Sequence, residues 1–298
     1  MKYIHSFTVF IIFLIAGSVF ADDSKAAKDS IISNLTNSIA SSLENFIGGE
    51  GDTEVQITAG EEYHPEFSIM TVRPLATHPG VDAWFIQLQL NDTKIRGEER
   101  LSTNIGVGYR KLSKDKNSFT GANVFIDYDQ EGNARTSVGL ELRSSAFEAL
   151  ANYYNPISGG NTVGAYTERS LGGYEFSLVG ELPYLPWASI VANHYEWQAE
   201  KNSKNSSGEK YSLELTVTPS LIVEGGFNDN NINGNTNFVK IYLTFPPRKS
   251  RIAATTNFIA DTAFSNIDMS DSLLSKVKRT NKQVIESEGT GVVMARVE

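Results

Sequence analysis

Asp127, Asp129, Glu131 and Gly132 stand at the spacing with which a calcium-binding loop begins. That loop needs an acid at its twelfth position and a helix on either side. The twelfth position here is Val138, and both flanks read as strands, so no metal or cofactor is expected. The same acids suit another role, compensating Arg110, Arg135 and Arg143 on neighbouring strands. Histidine is the natural general base. Of the four histidines His5, His64, His78 and His194, only His194 lies within a predicted strand, one that fits the alternation less well because Asn193 falls on its apolar side; it stands beside Glu196 and Gln198 on what reads as the polar, inward face. No nucleophile motif accompanies it, so no catalytic residue is assigned and an enzyme is not expected. The chain has no cysteine, which removes disulfides, thiolate metal sites and cysteine nucleophiles.

The elements that carry these residues alternate with a period of two. In residues 121 to 143 Ala122, Val124, Ile126 and Tyr128 oppose Asn123, Asp127 and Asp129. After a turn at Glu131-Gly132-Asn133, Val138, Leu140 and Leu142 oppose Arg135, Ser137, Glu141 and Arg143. The pattern predicts twelve strands, at about 53–59, 65–75, 81–91, 101–112, 119–129, 134–143, 146–155, 173–182, 187–198, 209–218, 221–228 and 237–245. Most have the length that a tilted membrane strand needs, and an even number fits a single-chain bacterial barrel. A soluble β-sandwich also alternates. Its strands are shorter, and it does not require charge on the polar face of every hairpin.

The fold class expected is therefore an all-β, twelve-stranded antiparallel transmembrane β-barrel over residues 53–245. Its apolar face meets lipid and its polar face lines a wet lumen. The lumen-facing charges would be Arg110, Asp127, Asp129, Arg135, Glu141, Arg143, Glu175, Glu214, Glu224 and Lys240. With the N-terminus inside, connections at 92–100, 130–133, 156–172, 199–208 and 229–236 are external, and Ser144-Ser145, Pro183 to Pro186 and Pro219-Ser220 are internal turns. Tyr128, Tyr153, Trp187, Tyr195 and Trp197 are candidates for the aromatic girdles at the two interfaces.

The ends complete the organisation. An apolar run from Phe7 to Val19 after Lys2, closing on Ala21, reads as a signal peptide over 1–21 and is short for a membrane span. Its removal takes Lys2 and moves the formal charge from −9 to −10. An acidic chain without a basic cluster argues against nucleic acid. Within 22–52, Ile31, Ile32, Leu35, Ile39, Leu43 and Phe46 recur at three or four, the period of a periplasmic helix. Residues 246–298 form a C-terminal linker or tail.

Asn104 to Arg110 (NIGVGYR), Gly121 to Asp129 (GANVFIDYD), Val138 to Leu142, Asn152 to Gly159 (NYYNPISG), Glu168-Arg169 and Leu182 to Pro186 resemble, in order, the β-domain of the inverse autotransporters, the intimin and invasin group. Ser272-Leu273-Leu274 and Val277 to Ile285 resemble that family's linker, with Lys278 where a glutamate is usual, and Ser170 stands for a usual proline. The resemblance covers about 31–285. It implies an outer-membrane barrel whose linker folds back through the lumen to carry an adhesive passenger outside. It also implies dealings with outer-membrane lipid, the barrel-assembly machinery and periplasmic chaperones. The 53 residues after Phe245 can cross a membrane but fall short of an immunoglobulin-like domain, so the passenger is expected to be absent, truncated or on a separate chain. The alternative is a passive pore or structural outer-membrane protein whose tail stays in the periplasm or plugs the lumen.

Overall fold

The computed structural model describes residues 50–298 apart from 61–62, 97, 202–203, 249–250, 290–291 and 296–298. The expected signal peptide and N-terminal helix lie outside the described residues. Twelve long strands, β1 (Thr53–Gly60), β2 (Tyr63–His78), β3 (Asp82–Ile95), β4 (Glu98–Leu112), β5 (Ser118–Asp129), β6 (Ala134–Ser144), β7 (Phe147–Pro156), β10 (Gly173–Leu182), β11 (Leu185–Trp197), β12 (Ser206–Thr216), β13 (Leu221–Asn230) and β14 (Gly234–Phe245), form a closed antiparallel barrel. β1 meets β14 from Thr53↔Phe245 to Gly60↔Phe238, so the barrel sheet has no free edge. No helix among the described residues is long and apolar enough to cross a membrane, which leaves crossing to strands.

Alternation sets the two faces. Val124, Ile126, Val138, Leu140 and Leu142 are exposed on the outside, while Asn123, Asp127, Ser137, Glu141 and Arg143 are buried inside. Two inward positions on β4 are glycines for a packing reason. A Cβ at Gly106 would lie 2.3 Å from the Phe125 ring, and one at Gly108 would lie 2.3 Å from Phe85. The missing side chains are what let two large rings lie inside the barrel.

Two expected boundaries change. The connection expected at 92–100 is mostly strand, because β3 and β4 stay paired as far as Ile95↔Glu98 and leave a tight turn with Arg96 at φ 53°. The connection expected at 156–172 holds a hairpin, β8 (Asn161–Val163) and β9 (Tyr166–Ser170). It joins β15 (Ile285–Gly289) and β16 (Val292–Ala295) of the tail in a second sheet of order β16-β15-β9-β8.

Between the two sheets the tail follows the barrel rim. Arg248 N and Ala254 N donate to Pro219 O and Thr216 O at the β12–β13 turn, Tyr184 N to Ala263 O at the β10–β11 turn, and Met269 N to Lys116 O at the β4–β5 turn. A 3-10 turn, Ser270–Leu274, then redirects the chain inward. Its start is fixed by Asp268, whose carboxylate accepts from Ser270 N at 2.8 Å and from the Ser270 hydroxyl. Those donors hold the Asp268 carboxyl below the usual carboxylate range.

Candidate functional site: a lumen threaded by the C-terminal tail

An extended segment, Ser275 to Val284, runs through the barrel, and side chains from the wall meet it at almost every residue. Arg110 of β4 donates from Nη1 to Leu273 O at 2.9 Å and Ser275 O at 2.6 Å. Its other nitrogens hold both oxygens of Glu141, at 2.7 and 3.1 Å. Arg143 of β6 donates to Ser275 Oγ at 2.8 Å and to Lys276 O at 3.2 Å. Gln87 Oε1 accepts from Val277 N at 2.8 Å. Arg135 donates to Thr280 O at 2.7 Å and Lys282 O at 3.1 Å, and Asn104 to Asn281 O at 2.7 Å. Glu175 accepts from Thr280 N at 2.8 Å and Thr280 Oγ1 at 2.7 Å. A strand inside a closed barrel has no neighbour for its backbone groups, so these side chains take the place of a ladder.

The four cations of the threaded segment each meet a carboxylate. Lys276 reaches Glu54 at 2.7 Å and lies 3.6 Å over the Tyr242 ring. Lys278 reaches Glu148 at 3.0 Å and Glu214 at 3.9 Å. Arg279 places its two terminal nitrogens on the two oxygens of Asp127, at 2.9 and 2.6 Å, above the Phe125 ring. Lys282 pairs with Glu66. Bidentate geometry at full burial makes the Arg279 pair the most demanding of the four. Two apolar contacts accompany the charges: Val277 packs with Met70, Val72, Phe85 and Phe125, and Val284 with Tyr154, Leu171, Tyr195 and Trp197.

The family model described as inverse autotransporter, beta-domain matches residues 15–281, barrel and threaded tail together. The chain belongs to this family. A search of curated proteins finds no significant match. Among solved structures, a chain from work on the mechanism of in-meso crystallization of membrane proteins superposes with a TM-score of 0.66 at 21% identity, covering 80% of this chain and 99% of its own length. The KdgM porin (TM-score 0.45, 6% identity) and outer membrane phospholipase A from Escherichia coli (0.40, 8%) each cover 65% of this chain, and 99% and 96% of themselves. The protein is an all-β outer-membrane barrel of the bacterial envelope.

Within the inverse autotransporter barrel, Arg110, Asp127, Arg135, Glu141, Arg143 and Glu175 are buried inside and touch the tail or hold a residue that does. Asp129 is inside but belongs to the rim: it accepts from Asn133 at 3.0 Å and from Arg100 at 3.3 Å. Glu214, Glu224 and Lys240 face a cavity of about 180 Å³ left between the tail and the wall that runs from β10 through β14 and β1 to β3. Glu224 there accepts from Ser212 at 2.7 Å and Tyr242 at 2.5 Å.

Several expectations are corrected. Arg110 and Arg143 compensate Glu141 and Glu148 rather than the aspartates. Arg135 alone of the three arginines meets Asp127, at 2.8 Å. His194 points outward, half exposed and 4.0 Å from Glu209, because Asn193, Tyr195 and Trp197 take the inward positions of β11. Tyr195 and Trp197 consequently leave the interfacial girdle and enclose Val284 instead.

The inverse autotransporter tail is gripped again where it leaves the lumen. Leu171 N donates to Val284 O at 2.9 Å, and β15 pairs with β9 from Ile285↔Ser170 to Glu288↔Thr167. β9 is itself fastened by Glu168, fully buried, which takes Arg100 at 2.5 Å, Arg96 at 2.8 Å and Asn133 at 3.1 Å. Sequence reading left Glu66, Glu148 and Glu168 unassigned among the lumen acids. Glu66 and Glu148 become legible only once the four tail cations are assumed to need partners.

Proposed function

We propose that this barrel is an anchoring and translocation unit for its own C-terminal segment, a non-catalytic role. The observation that carries this reading is that Lys276, Lys278, Arg279 and Lys282 each meet a carboxylate of the lumen wall. A wall built only to pass solutes has no need to fix an extended peptide in one register. Pairing of β15 with an external-side hairpin supports a tail that leaves the lumen on the far side from the rim turns. Outer-membrane lipid, the barrel-assembly machinery and periplasmic chaperones are the partners this role requires. What the exported segment carries, an adhesive passenger in this chain or one supplied separately, follows from the family resemblance alone.

The second reading is a passive pore that conducts beside the tail, and the cavity of about 180 Å³ there favours it. Planar-bilayer recordings separate the two. The anchoring reading predicts at most small events from the whole chain and large steady openings from a variant stopped after Ser265, which keeps the barrel and loses the threaded segment. Large openings from the whole chain would favour the pore.

A further inference from the structure

The tail between the β12–β13 and β4–β5 turns contains Asn257 to Phe264, NFIADTAF, in which Asp261 is the one charge. Its backbone is tied down: Ala260 N donates to Tyr184 O at 3.0 Å, and Ala263 O accepts from Tyr184 N at 2.9 Å. Ser145 Oγ holds the next residue by Ser265 O at 2.7 Å, and Trp187 Nε1 holds Phe258 O at 2.9 Å. Yet its large apolar side chains stay uncovered: Phe258 is 61% exposed, Ile259 69% and Phe264 53%. Isolated apolar residues on a surface need no explanation, but three within seven residues, on a segment fixed in place, do.

These side chains continue a belt that already exists. Tyr184, in the turn that binds the segment, is half exposed, Trp187 stacks on Phe258 with ring centroids 5.3 Å apart, and Phe147 is exposed on the outward face of β7 two residues after Ser145. The outward face of this outer-membrane barrel meets lipid, and aromatic residues at strand ends sit at headgroup depth. A segment of low charge, with apolar and aromatic side chains at that level, has the composition of an interfacial anchor.

We propose that residues 257–264 are a lipid anchor: Phe258, Ile259 and Phe264 insert among the phospholipids of the leaflet nearest the rim turns. The occupant is lipid, not a protein groove, because the segment is tied to the barrel's rim at Tyr184, Trp187 and Ser145, beside the outward Phe147, which places its exposed apolar side chains at the membrane boundary. The anchor would hold the tail against the rim before it turns into the lumen at Ser270.

The cysteine-free sequence makes the test direct. Single cysteines at Ile259 and Phe264 are spin-labelled in the whole chain, in phospholipid nanodiscs loaded with one copy each, and collisions with oxygen and with a water-soluble nickel chelate are measured. Leu140→Cys, on the outward face, and Asn205→Cys, in the connection after β11, set the lipid and water limits. The expected result is loss of chelate collisions at both positions towards the Leu140→Cys limit, with oxygen collisions kept. Chelate access equal to that of Asn205→Cys at Ile259 overturns the proposal, as does protection that needs two copies per disc. If Phe264→Cys fails to fold, Ile259→Cys decides alone.

Discussion

The wall formed by β4, β5 and β6 and the wall formed by β12, β13 and β14 have the same alternating pattern and opposite interiors. On the first wall Arg110, Asp127, Arg135, Glu141 and Arg143 are nearly inaccessible, and each bonds to the tail or to a partner that does. On the second, Lys210, Glu214 and Lys240 line the cavity, with the two lysines about the Phe238 ring at 5.6 and 5.0 Å. Inward charge is thus not a single property. Where the tail lies against it, it is desolvated and specific, whereas along the cavity it borders open space and reaches the tail at Glu214, 3.9 Å from Lys278.

That difference can be broken most severely at the Arg279–Asp127 pair. Arg279→Ala should weaken seating of the tail by about 3 kcal/mol, the loss of hydrogen bonds to a charged group while Asp127 keeps Arg135. Faster hydrogen exchange of the backbone amides of 276–284, with the barrel strands unchanged, is the readout. Gly108→Leu comes next: it forces Phe85 aside and should cost about 1–3 kcal/mol in unfolding in detergent. Its counterpart Gly225→Ala, where an added Cβ meets nothing within 4 Å, should stay within about 0.5 kcal/mol. Lys278→Ala removes a partly exposed cation, and the expected loss of tail seating is about 1 kcal/mol, clearly below that of Arg279→Ala. Lys240→Gln closes the series. The tail should not respond, while the ion preference of a variant stopped after Ser265 should shift towards cations because a positive charge has left the lumen wall.

The barrel was legible because the period of two survives in the side chains whatever they touch: strand count, pairing of neighbours and the two faces follow from it. The places where reading failed share a cause. Tyr195 and Trp197 look like girdle residues to any rule based on residue type, and only the position of Val284 makes them interior. The same reversal turned His194 outward. Likewise β8 and β9 are too short to alternate convincingly, and they exist as strands beside β15, more than a hundred residues later in the chain. Gly106 and Gly108 share the polar face of β4 with Asn104 and Arg110, and the room they leave for Phe125 and Phe85 shows only in the packed barrel. Charge identity was visible from sequence, and so was the Asp127–Arg135 pair on adjacent strands, but Arg279 joins it only when the tail lies in the lumen.

The central claim is that the tail crosses through the barrel and comes out on the far side. Glu288 is an exposed residue of β15, Asn205 lies in the connection between β11 and β12, and Asn257 is exposed at the opposite rim. Single cysteines at these three positions, treated in intact cells with a membrane-impermeant maleimide, give the most direct test. The account predicts that Glu288→Cys and Asn205→Cys label at once and Asn257→Cys only after the outer membrane is opened. Labelling of Asn205→Cys alone, with Glu288→Cys reacting only in opened cells, would contradict it and leave the tail in the periplasm.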